Sequence, residues 1–123
     1  MKTPNIFAVD FDGTCVEHQY PEVGPDVLGA VEVMKALVAR GDKVILWTMR
    51  SGRPLLDAKQ WFKSKGVPLW GVNANPEQDW TTSPKAYAQV YIDDAALGCP
   101  LLHPVGRRPF VDWFAVKEIL FPK

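Results

Sequence analysis

Only two cysteines, Cys15 and Cys99, occur in the 123 residues. That is too few for a disulfide framework, and the two do not form a cluster able to hold a metal. Neither sign of charge is in excess. Lys+Arg and Asp+Glu both number 14, so the formal net charge is zero, and there is no broad electrostatic hold on nucleic acid or an anionic membrane. No apolar run is long enough to span a bilayer, and no charged leader followed by a long apolar stretch opens the sequence. The C-terminal Phe121-Pro122-Lys123 matches no address signal. A cytoplasmic protein is the expectation. Repeats, low-complexity segments and linkers are also lacking, so residues 1–123 read as one domain. A chain that is 47% hydrophobic and 23% charged should fold around a real core rather than stay disordered.

What is present is organised around Ile6-Phe7-Ala8-Val9-Asp10-Phe11-Asp12-Gly13-Thr14. A short apolar run, consistent with a buried strand, stops on two carboxylates. Acids one residue apart at the mouth of a buried strand repel each other and are costly to desolvate, so they call for a cation or a shared proton. Oxygen ligands of this kind suit Mg²⁺, which takes one or two protein carboxylates, waters and substrate phosphate oxygens. Taken alone, the stretch also suits a solvated turn after an ordinary strand.

The rest of the chain supplies context. Residues 15–24 read as a long loop with Pro21 and Gly24, the kind of excursion that often serves function. Pro25 suits a first helical position, and Val27, Leu28, Val31, Met34, Leu37 and Val38 predict a helix over 25–40 stopped by Gly41. A second buried strand covers 43–48 and ends on Thr48. A turn over 49–54 leads to a second amphipathic helix through Leu55, Ala58, Trp61 and Phe62, closed by Lys63, Lys65 and Gly66. Residues 68–72 read as a third strand, 73–83 as a long loop, and 89–92 as a fourth strand capped by Asp93 and Asp94. Leu101-Leu102 is a brief apolar stretch before another turn. Val111, Trp113, Phe114, Val116, Ile119 and Leu120 predict a terminal helix.

This alternation predicts an α/β fold: a single-domain, three-layer sandwich with a central, mostly parallel, Rossmann-like sheet. Right-handed crossovers then gather the strand C-termini along one edge, where ligands bind at the point of reversing strand order. Asp10, Asp12, Thr48, Asp93 and Asp94 each sit at or just past such an end, and Lys85 could reach the same rim. Carboxylates, a hydroxyl and a lysine around Mg²⁺ make a site for a phosphate ester. Asp10, last in its strand, is the better-held nucleophile and could form an aspartyl-phosphate. Asp12 could protonate the leaving oxygen and then deprotonate water. Thr48 could bind a phosphoryl oxygen, and Lys85 could bring positive charge to the transferring group.

Asp10-Phe11-Asp12-Gly13-Thr14 resembles the first signature of the haloacid dehalogenase superfamily, most of whose members are Mg²⁺-dependent phosphatases. The Leu46-Trp47-Thr48 strand end resembles the second signature, Lys85 the third, and Ile92-Asp93-Asp94 the acidic fourth. The four stand in order across residues 6–94. The resemblance implies Asp10 as nucleophile, Asp12 as general acid/base, and Thr48 and Lys85 as holders of the phosphoryl group. It implies metal contacts from Asp10, the backbone carbonyl of Asp12, and Asp93 or Asp94, with Asp93 favoured because it directly follows its strand. It also implies a central first strand. Superfamily members usually carry an inserted cap. Here about ten residues separate Thr14 from the first helix and 73–83 is too short for a domain, so no large cap is expected. The site should be open unless a neighbouring subunit, as in a homo-oligomer, or a large substrate covers it. The substrate would be a phosphorylated small molecule or an exposed phosphate end of a larger one.

Other residues read two ways. Arg50 and Arg53 either grip an anionic substrate or are solvated turn charges. His18 either contacts the leaving group or lies on the surface, and the surface reading is preferred. Trp47 and Trp70 read as core, Trp80 as packing over the sheet edge, and Cys15 as buried filler. Two rival functions remain. One is a phosphotransferase or phospho-signalling module, since receiver domains also combine acids, Mg²⁺, a hydroxyl and a lysine. A receiver, however, keeps its phospho-acceptor on a middle strand and its lysine last. The other is a non-catalytic binding protein on the same fold.

Overall fold

The computed structural model describes residues 4–123. Strand β1 (Ile6–Val9) is central, and its apolar run is buried on both faces, as a middle strand of a parallel sheet requires. It pairs in parallel with β2 (Lys43–Leu46) on one side and with β4 (Val90–Ile92) on the other, and β3 (Gly71–Val72) extends the sheet beyond β2. The order is β3-β2-β1-β4. Strand order therefore reverses at β1, and the edge between β1 and β4 is the switch point.

Helix α1 (Ala30–Ala39) buries Ala30, Val33, Met34 and Leu37, a single stripe at helical spacing. It starts five residues later than its apolar periodicity predicts. The segment before it pairs instead with the loop after β1: Glu17 N donates to Pro25 O and Val27 N to Cys15 O, each at 2.9 Å. Pro25 is thus not a first helical residue. Helix α2 (Gly52–Lys65) buries Ala58, Trp61 and Phe62. It closes on Gly66 at φ 73°, with Gly66 N bonded to Lys63 O and Val67 N to Phe62 O. The third strand keeps only two of its expected residues.

Right-handed crossovers put α1 and α2 on one face of the sheet, and the return from β3 to β4 then runs over the other. That return, residues 73–89, holds no helix, yet Asn75 and Ala86 within it are buried. With α3 (Trp113–Leu120) also touching α1, the result is an α/β sandwich without a large cap. Phe110 and Val111 correct the sequence expectation. They form strand β6 (Phe110–Val111), antiparallel to β5 (Leu101–Leu102), and the helix begins only after Asp112, whose Oδ1 accepts from Ala115 N as an N-cap. This hairpin and helix dock on the loop after β1: Val111 N donates to Gly13 O at 3.0 Å, and Trp113 Nε1 to Thr14 O at 2.6 Å. Among the described residues no helix is long and apolar enough to cross a membrane.

Candidate active site

The cleft at the switch point measures about 800 Å³, and Asp10, Asp12, Thr48, Asp93 and Asp94 all line it. A second depression of about 630 Å³ runs along α2, but Asp57 is its one acid and already pairs with Arg53. The acids that the sequence singled out lie in the first.

Asp10 leaves β1 with its backbone N–H still bonded to Ile92 O at 2.9 Å, so the β1 and β4 ends stay in register. That register brings Asp10 beside Asp93 and Asp94, and one carboxylate oxygen from each lies within 4.8 Å of the others. Thr14 Oγ1 donates to Asp10 Oδ2 at 2.9 Å and accepts from Asp94 N at 3.2 Å, holding the two together. Burial, then the charge of Asp93, pushes the Asp10 carboxyl from 3.8 up to about 8, while the Thr14 hydroxyl works the other way. Burial chiefly raises Asp93 too. Burial is the larger cause in both, and the neighbouring carboxylates add to it. An oxygen-only donor set of this charge fits Mg²⁺.

Asp12 meets a different fate. Arg50, buried to 3% exposure, forks onto it, Nε to Oδ2 at 2.8 Å and Nη2 to Oδ1 at 2.7 Å. Its remaining N–H groups reach the carbonyls of Pro21, Glu22 and Pro54. All five guanidinium donors are therefore used, which makes Arg50 a brace for Asp12 and not a cation free for substrate. The bond to Asp12 is the main cause of the raised Arg50 pKa.

Thr48 lines the cleft with its hydroxyl accepting from Arg50 N at 3.1 Å, leaving its O–H to donate. Asn73, at φ 53°, donates its backbone N–H to Leu46 O and accepts Thr48 N on Oδ1 at 2.7 Å. Asparagine tolerates that left-handed conformation better than most residues. The sequence reading missed this role, for which an Asn directly after a strand was the available signal. Lys85 is exposed, its Nζ 5.6 Å from the Tyr91 ring centroid, and it does not line the cleft, although Pro84 does.

His18 is not the surface histidine preferred from the sequence. Its Nε2 bonds Asp94 Oδ2 at 2.9 Å inside the cleft, and the side chain is only 16% exposed. Gly13, at φ 82°, makes room for that pair: a Cβ there would collide with both the imidazole and the Asp94 carboxylate. Trp47 is half-buried and lines the cleft, and Trp70 is half-buried under Lys43, so neither is full core. Trp80 is exposed, edge-on to Tyr87. Arg53 is an exposed helix charge. Cys15 is fully buried, its thiol raised well above the ordinary value chiefly by burial, which suits filler and not a nucleophile. Arg108, which the sequence reading passed over, lines the cleft from the β5–β6 loop.

The solved structure of a conserved protein coded by a locus of Bacteroides thetaiotaomicron is similar to this one at 34% identity and a TM-score of 0.80, covering 96% of this chain and 90% of that one. The chain belongs to that protein's family. The shared α/β fold thus extends over nearly the whole sequence. No protein-family model and no curated protein matches the chain.

Proposed function

We propose that the chain is a Mg²⁺-dependent phosphatase that hydrolyses a phosphate monoester through an aspartyl-phosphate on Asp10. The observation that carries this reading is the convergence of Asp10, Asp93 and Asp94 from two adjacent strand ends at the switch point. The resemblance of the four signatures to the haloacid dehalogenase superfamily supports it.

Asp10, Asp93 and Asp94 would hold the cation, together with the Asp12 carbonyl that the resemblance adds. When bound, Mg²⁺ offsets the charge of these carboxylates, favouring ionised Asp10, and polarises the phosphoryl oxygens. An Asp10 oxygen attacks phosphorus and the bond to the leaving oxygen breaks, that oxygen taking a proton from Asp12. Water then attacks the aspartyl-phosphate, gives its proton back to Asp12, and frees phosphate and Asp10. Arg50 holds both Asp12 oxygens, so Asp12 carries a proton in either transfer only by giving up one of those bonds. The Thr48 hydroxyl donates to a phosphoryl oxygen, and Lys85 would reach the same group only by leaving Tyr91. The open cleft suits a phosphorylated small molecule or the phosphate end of a larger one.

The test is hydrolysis of an aryl phosphate in Mg²⁺. Turnover should stop with excess chelator and fall by at least about a thousandfold in Asp10→Asn with the fold intact, since a lost nucleophile removes the two-step route. Continued turnover in chelator, or an active Asp10→Asn protein, would exclude the reading.

A further inference from the structure

We infer that Arg108 is the residue that meets the charge of the substrate, an assignment that rests on the phosphatase reading above. A site built from carboxylates must still attract a phosphate dianion, and a protein cation with free donors does this best. Two guanidiniums line the cleft, those of Arg50 and Arg108. Every donor of Arg50 is already committed to Asp12 and to three backbone carbonyls. Arg107, the neighbour of Arg108, is turned away to Glu17 Oε2 at 2.8 Å. Lys85 sits against Tyr91, off the cleft lining. Arg108 is exposed and makes no hydrogen bond or ion pair among the described residues.

Its position is set by the fold. The β5–β6 hairpin that carries it is tied to the motif loop through the backbone, where Val111 N donates to Gly13 O at 3.0 Å. The hairpin therefore places Arg108 in the lining of the cleft that also holds the acidic cluster, and its planar fork matches two phosphate oxygens. The contact binds without taking part in bond breaking, so it governs affinity and not the chemical step.

The experiment compares the wild type, Arg108→Ala, Arg108→Lys and Arg107→Ala in Mg²⁺, measuring orthophosphate binding by calorimetry and aryl-phosphate kinetics. Arg108→Ala should weaken phosphate binding and raise KM by about tenfold or more, with kcat little changed, as expected for one lost charge-assisted contact. Arg108→Lys should recover part of this, and Arg107→Ala should match the wild type. Unchanged phosphate affinity and KM in Arg108→Ala would overturn the inference, as would an equal loss in Arg107→Ala, which would mean a diffuse field. Phosphate binding that depends on Arg108 in a wild type without turnover would remove the phosphatase reading and leave this assignment standing. A wild type that neither binds phosphate nor turns over would remove both.

Discussion

Asp10 and Asp12 are separated by one residue and live in opposite electrostatic worlds. On the Asp10 side three carboxylates crowd together, braced by the Thr14 hydroxyl and the His18 ring but, among the described residues, without a guanidinium or ammonium bonded to them. On the Asp12 side a buried arginine spends its whole fork and its remaining donors fixing one acid. The first arrangement leaves its charge unmatched by any described cation, while the second is complete within the chain. The same two-residue stretch thus holds one acid whose charge no described side chain offsets and one whose charge is fully matched.

Breaking the locked side should give the largest effect. Arg50→Met leaves Asp12 without its partner and three carbonyls without a donor, and removing one half of a buried pair costs about 3–5 kcal/mol. Denaturant unfolding should show that loss, and a midpoint near wild type would mean that Arg50 is no brace. Next comes the crowded side. Asp10 is raised in the folded state, so between about 4 and about 8 the folded protein holds a proton that the unfolded chain has released. Fewer protons on the unfolded state mean that stability falls as pH rises through that window. In chelator the melting temperature should decline from pH 4 to pH 8, and Asp10→Asn should flatten the decline and melt higher than wild type at pH 8. A wild-type profile as flat as that of the variant would mean that the acids are not in conflict. The smallest effect should come from Thr14→Val, which removes the hydroxyl joining Asp10 to Asp94. It should cost about 1 kcal/mol, the worth of an ordinary hydrogen bond, and steepen the same pH slope.

Much of this was legible in the sequence, and the parts that were not share a cause. Apolar runs that end on polar side chains announced β1, β2 and β4, and with them the gathering of Asp10, Thr48, Asp93 and Asp94. Periodicity failed where a distant partner decides the conformation. Pro25 and Val27 look helical by spacing but are claimed by Glu17 and Cys15, and Val111 looks like a helix start but pairs with Leu101. The site repeats the lesson. Arg50 read equally as a grip on substrate or a turn charge, and neither holds, because nothing local reveals that Asp12 and three carbonyls, from positions up to 38 residues away, converge on it. His18 needs Asp94, 76 positions on. Pairings of that range leave no trace in a window of neighbouring residues.

The two bonds that clasp the carbonyls of Gly13 and Thr14 come from Val111 and Trp113, the latter 99 positions downstream. During synthesis the motif loop is made well before its anchors. A nascent chain therefore carries its acids loosely, with the pocket geometry set only once the hairpin and α3 come into place. The metal affinity proposed above should thus appear late and all at once, as a property of the finished fold and not of the strand that bears Asp10.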